Sequence, residues 1–546
     1  MEPKEHLKKL IRVARGLEKA DLVLKGGMVV DVFGGKWIKN DIAIVNGIIA
    51  GVGSYSGVEE IDVCGKYITP GLIDTHVHPE SSKLSPQRYA ELVLSHGTTV
   101  IIADPHEIAN VMGIAGVEYM AEEFAKTQLD ARIMLPSCVP ATTFETSGAT
   151  INPKEISQHI KKCYGLGEFM NYPGVLNCDD ECLDKILAAW YEDKRIDGHM
   201  FGVDEKDLNG YFVAGMRTNH ECTTVAESLA NIQRGCYVQL RMGSYTQNFA
   251  EMVGAVNSKN LHRFTFCSDD KSGHDILARG HINENMRLAV GAGMEAIDAV
   301  TIATLNAAQC YGIGRMGAIA PSYIANLVVF DDVVDFRVNR VFVQGKRVEK
   351  SDKSNTKKPT STIKIKPISA KSFKDVRKDI AINFIKGSLV TERGIVGKDS
   401  NKLAVVERHK GTGNIGLCYI NGFNLKRGAI AQTIAHDSHN IVVLGANNSD
   451  MAIAVNELAH VGGGITVVQD GKVIKILALP IAGLMADIDA EELATHLKEL
   501  ELATQKLGMD SDFNPFVSLS FISLPVIPWL KLTDKGLFCG EKFEII

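Results

Sequence analysis

Residues 21–68 carry short alternating runs of Val, Ile and Leu punctuated by glycine (DLVLKGGMVVDVF, then DIAIVNGIIAGVG), the pattern of β-hairpins. Residues 318–349 have the same character, and the two stretches read as halves of one small β-domain split by an insertion. Before the first lies an amphipathic helix, in which charged residues alternate with Leu, Ile and Val at helical spacing. Inside the insertion, apolar runs alternate with helical patterns, as a parallel α/β fold requires. The pattern predicts eight strands: Ile68–His78, Thr98–Asp104, Arg132–Cys138, a run ending at Glu168, Arg195–His199, Met216–Glu221, Tyr237–Ser244 and Phe264–Asp270. Eight strands over 69–317 match the count and the ~250-residue size of a (β/α)₈ barrel. Residues 351–366 are polar and rich in Lys, Ser and Thr, which predicts a linker. Residues 367–546 mix strand-like runs with a long helical stretch, Ala490–Leu507, and predict a separate α+β domain. The division expected is therefore 1–68 for the helix and first β-segment, 69–317 for the barrel, 318–350 for the second β-segment, then the linker and the C-terminal domain.

Composition narrows the class without changing that picture. The 546 residues are 45% hydrophobic and 23% charged, ordinary for a globular protein. Lys+Arg number 59 against 65 Asp+Glu, a net charge of −6, so there is no basic excess to neutralise phosphates and no nucleic-acid partner is expected. No apolar run approaches 18 residues; Phe521 to Leu530 is too short and holds two prolines, so no membrane span is expected. The N-terminus lacks the apolar core of a signal peptide. Eleven cysteines without any C-x-x-C argue against a disulfide scaffold or zinc ribbon and predict a reduced, cytoplasmic protein.

The informative feature is where polar residues fall on the eight strands. The first ends Asp74-Thr-His76-Val-His78, the second Asp104-Pro-His106-Glu107, and the fourth at Glu168. The fifth ends Asp197-Gly-His199, the sixth Asn219-His220-Glu221, the eighth Ser268-Asp269-Asp270. A barrel delivers all its C-terminal strand ends to one face. A single strand-end histidine is more often a cap or core residue than a ligand, and H-x-H alone is weak. Four histidines and two carboxylates on independent strand ends are a different matter: they predict a metal centre. Strand residues i and i+2 point the same way, so His76 and His78 can grip one cation. His199 and His220 can hold a second, Glu168 can bridge both, and Asp269 can close the first site. Two such cations acidify a shared water. Imidazole and carboxylate without thiolate suit Mn, Fe or Zn and do not choose among them.

PGLIDTHVHPE resembles the first-strand motif of the amidohydrolase superfamily, whose flanking split β-domain also matches. More narrowly, HGTTVIIADPHEIANVMG, GLGEFMNYPGV, DGHM followed by NHECTT, SDD with GHI, AHDSHNIVV and LPIAGLM resemble the adenine deaminases of that superfamily, over nearly the whole chain. The resemblance implies hydrolysis of the purine base adenine to hypoxanthine and ammonia in purine salvage or catabolism. It also implies a binuclear centre using Mn or Fe, and a homo-oligomer, dimer or higher. Two positions depart from the expected pattern: Asn219 stands where Asp is expected, and Met242 where an acidic residue is expected.

Rival readings lose on particular residues. Cyclic-amide hydrolases of the superfamily place a carbamylated lysine at the fourth strand end, where this chain has Glu168. A barrel turned binding protein would have lost ligands, and every ligand position is filled. The cytidine-type zinc deaminases need P-C-x-x-C, which is absent. Asp269 is expected to be both ligand and proton shuttle, with Asp270 as runner-up, because one residue of error in the strand end swaps their directions. Asp104, His106, Glu107 and Glu221 either read the purine edge or hydrogen-bond the metal histidines from behind. A turn explains His436-Asp437-Ser438-His439 about as well as a place in the site does, and Cys267 reads as core.

Overall fold

The computed structural model describes residues 2–546 except 245–248, 351–355, 358, 360, 361, 375 and 528. The eight barrel strands are β1 (Leu72–Val77), β2 (Thr98–Ala103), β3 (Asp130–Ile133), β4 (Gly165–Phe169), β5 (Arg195–Gly198), β6 (Thr218–Asn219), β7 (Tyr237–Arg241) and β8 (Phe264–Cys267). β1–β2–β3, β4–β5 and β6–β7–β8 pair in parallel. Parallel bridges Leu135–Leu166, Ile196–Met216 and Val77–Asp269 join these groups into a closed ring. The strands are short and almost wholly buried, as expected where helices cover the outside and side chains fill the inside.

The two β-segments form one eight-stranded sheet, in which Leu327–Phe330 runs antiparallel to Tyr67–Pro70. The run predicted as one strand from Ile68 is thus divided at Gly71. Tyr67–Pro70 belongs to the small sheet and Leu72–Val77 to the barrel. Gly71 permits the crossing, since a Cβ there would lie 2.1 Å from the Thr99 hydroxyl. The expected N-terminal helix spans Pro3–Ala14 and sets Leu10 and Val13 against this sheet.

The C-terminal region builds a second eight-stranded sheet, with helices Asn448–Val461 and Ala490–Lys506. Of the stretch 351–366, residues 351–355, 358, 360 and 361 lie outside the described residues. Ile363 and Ile365 pack on the C-terminal core, and the Lys364 amide donates to the Arg408 carbonyl. The C-terminal domain closes over the face where the barrel strands end. The Ser85 amide donates to the Ala486 carbonyl at 2.7 Å and the Ala486 amide to the Lys83 carbonyl at 2.9 Å, and Asp534 accepts from the Thr146 amide at 2.8 Å and its hydroxyl at 2.7 Å. Asn440 donates to the Thr146 carbonyl at 2.9 Å.

Candidate metal centre and active site

The period-2 alternation of β1 puts His76 and His78 on one side, with their Nε2 atoms 3.2 Å apart. Barrel closure supplies the next group. The Asp269 amide donates to the His76 carbonyl at 2.9 Å, which seats Asp269 Oδ1 at 3.1 Å from His78 Nε2 and 3.6 Å from His76 Nε2. Asp269 takes a positive φ of 53°, turning the chain out of β8 as the strand ends.

Glu168, at the end of β4, sits at the centre. Its Oε2 lies 2.7 Å from His199 Nδ1, 3.1 Å from His220 Nε2 and 3.6 Å from His76 Nε2. Its Oε1 lies 3.2 Å from His106 Nδ1 and 3.5 Å from His78 Nε2. Asp104 holds this strand end by accepting the Glu168 amide at 2.7 Å. Gly167 makes room for it, because a Cβ there would stand 2.2 Å from Asp104 Oδ2. Burial pushes the Glu168 carboxyl up, yet the charges and hydrogen bonds of His199, His106 and His220 hold it well below the ordinary range. For Asp269, burial is likewise overcome by Arg241, His76 and His78. Asp270 goes the other way: burial and the charge of Asp269 raise it. Its Oδ1 accepts from the Ser81 hydroxyl.

The donor set fits divalent cations. His76–His78–Asp269, His76–Glu168–His220 and His199–His220–Glu221 each converge within 4.8 Å. The His78 Nδ1–H donates to the Asp104 carbonyl at 2.7 Å, so its Nε2 lone pair faces inward. The His76 and His220 rings stack at 4.1 Å, and the Nδ1 atom of each is buried without a hydrogen-bond partner among the described residues. Imidazole nitrogens as close as those of His76 and His78 need a proton or a cation between them.

The residues singled out in sequence therefore divide by position. His76, His78, His199, His220, Glu168 and Asp269 converge on one point. His106 reaches Glu168, and Glu221 flanks His199 and His220 at 4.0 and 3.5 Å. Asp104 acts from behind. Glu107 turns away, toward His436 and His439 of the C-terminal domain. Asn219 donates to Met200 and Asn231 and accepts from Glu221, and Met242 is buried in the apolar core, so both unexpected residues serve packing. Cys267 is buried. All eleven cysteines are free thiols, and no helix among the described residues is long and apolar enough to cross a membrane.

Arg241 escaped the sequence reading. Its Nη1 donates to Asp269 Oδ2 at 2.7 Å and to Glu221. Period 2 on β7 places Gln239 and Arg241 on the face opposite Val238 and Leu240, and that polar pair in an apolar strand was the available signal. Beside the centre, a cavity of about 880 Å³ lies between barrel and C-terminal domain. Ser81, Glu107, His436, His439 and Phe521 are among its walls.

Residues 67–348 match the sequence profile of the amidohydrolase family, and residues 379–544 that of the adenine deaminase C-terminal domain. An adenine deaminase of Clostridium acetobutylicum is 44% identical over 98% of this chain and 99% of its own. One from Desulfotalea psychrophila is 44% identical over 100% of this chain and 99% of its own. Another, from Bacillus velezensis, is 41% identical over 100% and 99%. With both domains and nearly every residue aligned, the chain belongs to the adenine deaminase family of amidohydrolases.

Proposed function

We propose that this protein hydrolyses adenine to hypoxanthine and ammonia. The observation that carries the reading is Glu168, a buried carboxylate ringed by His76, His78, His199 and His220 and faced by Asp269 at the barrel mouth. Full-length similarity to adenine deaminases supports the substrate.

In this reading His76, His78 and Asp269 would hold one divalent cation and His199 and His220 a second, with the Glu168 carboxylate within reach of both sets. Bound cations supply Lewis acidity and lower the pKa of water. The chain's own groups handle orientation and protons. Attack at C6 leaves a tetrahedral carbon still bearing the amino group, a poor leaving group until protonated. In this reading Asp269 accepts the water's proton and passes it to the ring and then to the amine. Arg241 fixes its second oxygen and keeps it ionised. Asp270, tied to Ser81, is the second carboxyl at the rim. His106, Glu107 and Glu221 are the polar groups available for the purine edge, with Asp104 supporting Glu168 from behind.

Mn or Fe, with Zn as the third choice, suits a nitrogen and oxygen donor set without thiolate. Eleven free thiols support a reducing, cytoplasmic setting. Exposed Trp190, Tyr191 and Val213 offer apolar surface for a homo-oligomer. The decisive experiment supplies Mn or Fe during expression and follows adenine loss beside adenosine, guanine, cytosine and dihydroorotate. Adenine should be turned over well and adenosine poorly, because a buried centre under a second domain disfavours a ribose at N9. Comparable turnover of adenosine overturns the free-base reading, and no turnover of adenine overturns the function.

A further inference from the structure

A second buried cluster of histidines and a carboxylate stands next to the metal-facing one and spans the two domains. Glu107, at the start of helix His106–Met112, is 1% exposed. His436 Nδ1 lies 2.5 Å from its Oε1, and His439 Nε2 contacts its Oε2. Both histidines come from the loop between strands Ala429–Gln432 and Ile441–Gly445 of the C-terminal domain.

The hydrogen bonds behind the cluster decide its chemistry. His439 Nδ1 accepts the Ala435 amide at 3.2 Å, so the ring proton sits on Nε2 and is donated to Glu107. That ring has no lone pair left for a cation. The loop is braced in turn: the Arg408 guanidinium donates to the His439 carbonyl, and His409 Nε2 donates to the Ser438 carbonyl at 2.6 Å. The His436 ring stacks on Phe521 at 4.5 Å and 19°. Burial opposes ionisation of Glu107, but the two histidines hold it well below the ordinary carboxylate range. Glu107, His436 and His439 all line the cavity between the two domains, and a carboxylate has more lone pairs than the two histidines use, so an acceptor is left at the cavity wall.

We propose that the C-terminal domain is a working part of the active site, His439 and His436 acting as positioning residues that aim the Glu107 carboxylate at an N–H of the purine. Glu107 has three side-chain torsions to order, and a fixed donor on the far side removes that cost before the substrate arrives. A neighbouring domain is thereby tied to catalysis without touching the metals. The inference rests on the reading of Glu107 as a substrate contact, which a Glu107→Gln variant tests by itself.

The test uses the full-length, metal-loaded enzyme and two variants that differ in where they place a donor. The amide of His439→Gln puts an N–H near the position of Nε2, whereas that of His439→Asn reaches only the position of Nδ1. His439→Asn should raise KM for adenine and lower kcat/KM by about 10–100-fold, with two metal equivalents retained. His439→Gln should stay within about threefold of wild type in KM, as expected when one hydrogen bond is kept. Equal loss in both variants, or loss in neither while Glu107→Gln is impaired, overturns the inference. A third metal equivalent that disappears in His439→Asn also overturns it, by making the cluster a cation site. Wild-type kinetics in Glu107→Gln overturn instead the reading beneath it.

Discussion

Two clusters of imidazole and carboxylate lie side by side at the barrel mouth, alike in composition and burial and opposite in chemistry. Around Glu168, His78 gives its Nδ1 proton to a backbone carbonyl, and so turns a lone pair inward. Around Glu107, His439 takes a backbone amide proton at Nδ1, and so turns an N–H inward. The first arrangement collects acceptors and calls for cations; the second supplies donors and holds its own carboxylate in place. The lesson is that residue types nominate a metal site, while the hydrogen bond on the far nitrogen decides it. The clusters also differ in origin. The first comes wholly from barrel strand ends, and the second needs a loop far along the chain, with Glu107 and His439 332 residues apart.

The sharpest way to break this contrast is to neutralise the carboxylate at its centre. Glu168→Gln keeps shape but removes the charge that offsets paired dications. Bound metal measured by mass spectrometry should fall below two equivalents and activity should drop to near background, with the far-ultraviolet spectrum unchanged. Full occupancy with near-normal turnover would show that the bridge lies elsewhere.

Next in size comes the proton shuttle. Asp269→Asn should lower kcat by about 10²–10⁴-fold, the usual cost of losing general acid–base help, with any metal loss adding to it. Asp270→Asn should cost less, since its carboxyl faces Ser81 rather than His76 and His78. The reverse ranking in steady-state kinetics moves the role to Asp270. Wild-type rates for both refute the mechanism.

Much of this was legible from sequence because barrels are local. Each strand end carries its polar residue beside its own apolar run, so β1, β2, β4, β5, β6 and β8 could be read one at a time. What failed was burial without a ladder. Cys138 and Val139 are buried, yet β3 ends at Ile133, the last bridge to β4 is at Leu135, and they pack as loop, where the apolar run alone predicts strand to Cys138. Ile363 and Ile365 alternate with lysines in a stretch that composition marks as linker, and they cover the C-terminal core. The role of His436 and His439 was illegible for a third reason. No local pattern records that their loop lands on Glu107, and a polar turn predicts the same residues. Inter-domain docking is a property of two surfaces, and a single sequence displays neither.

The smallest expected effect tests the charge state of the second cluster. Burial works against protonating His436, but Glu107, Asp270 and Asp437 raise it to about 9. The unfolded chain offers an ordinary histidine near 6.5. A base whose folded value is raised stabilises the fold fully below the unfolded value and loses that contribution as pH rises through the folded one. Wild type should therefore exceed His436→Gln in Tm by on the order of a few degrees at about pH 6. The gap should shrink as pH climbs past about 9, where the imidazolium has lost its proton. Melts of both proteins across that range separate the charge from the ring's stacking on Phe521, since stacking does not titrate. A gap that stays constant with pH would leave packing as the whole contribution. A gap that widens would mean that His436 is neutral in the fold and that Glu107 draws its charge compensation from His106, whose Nε2 stands 3.7 Å away.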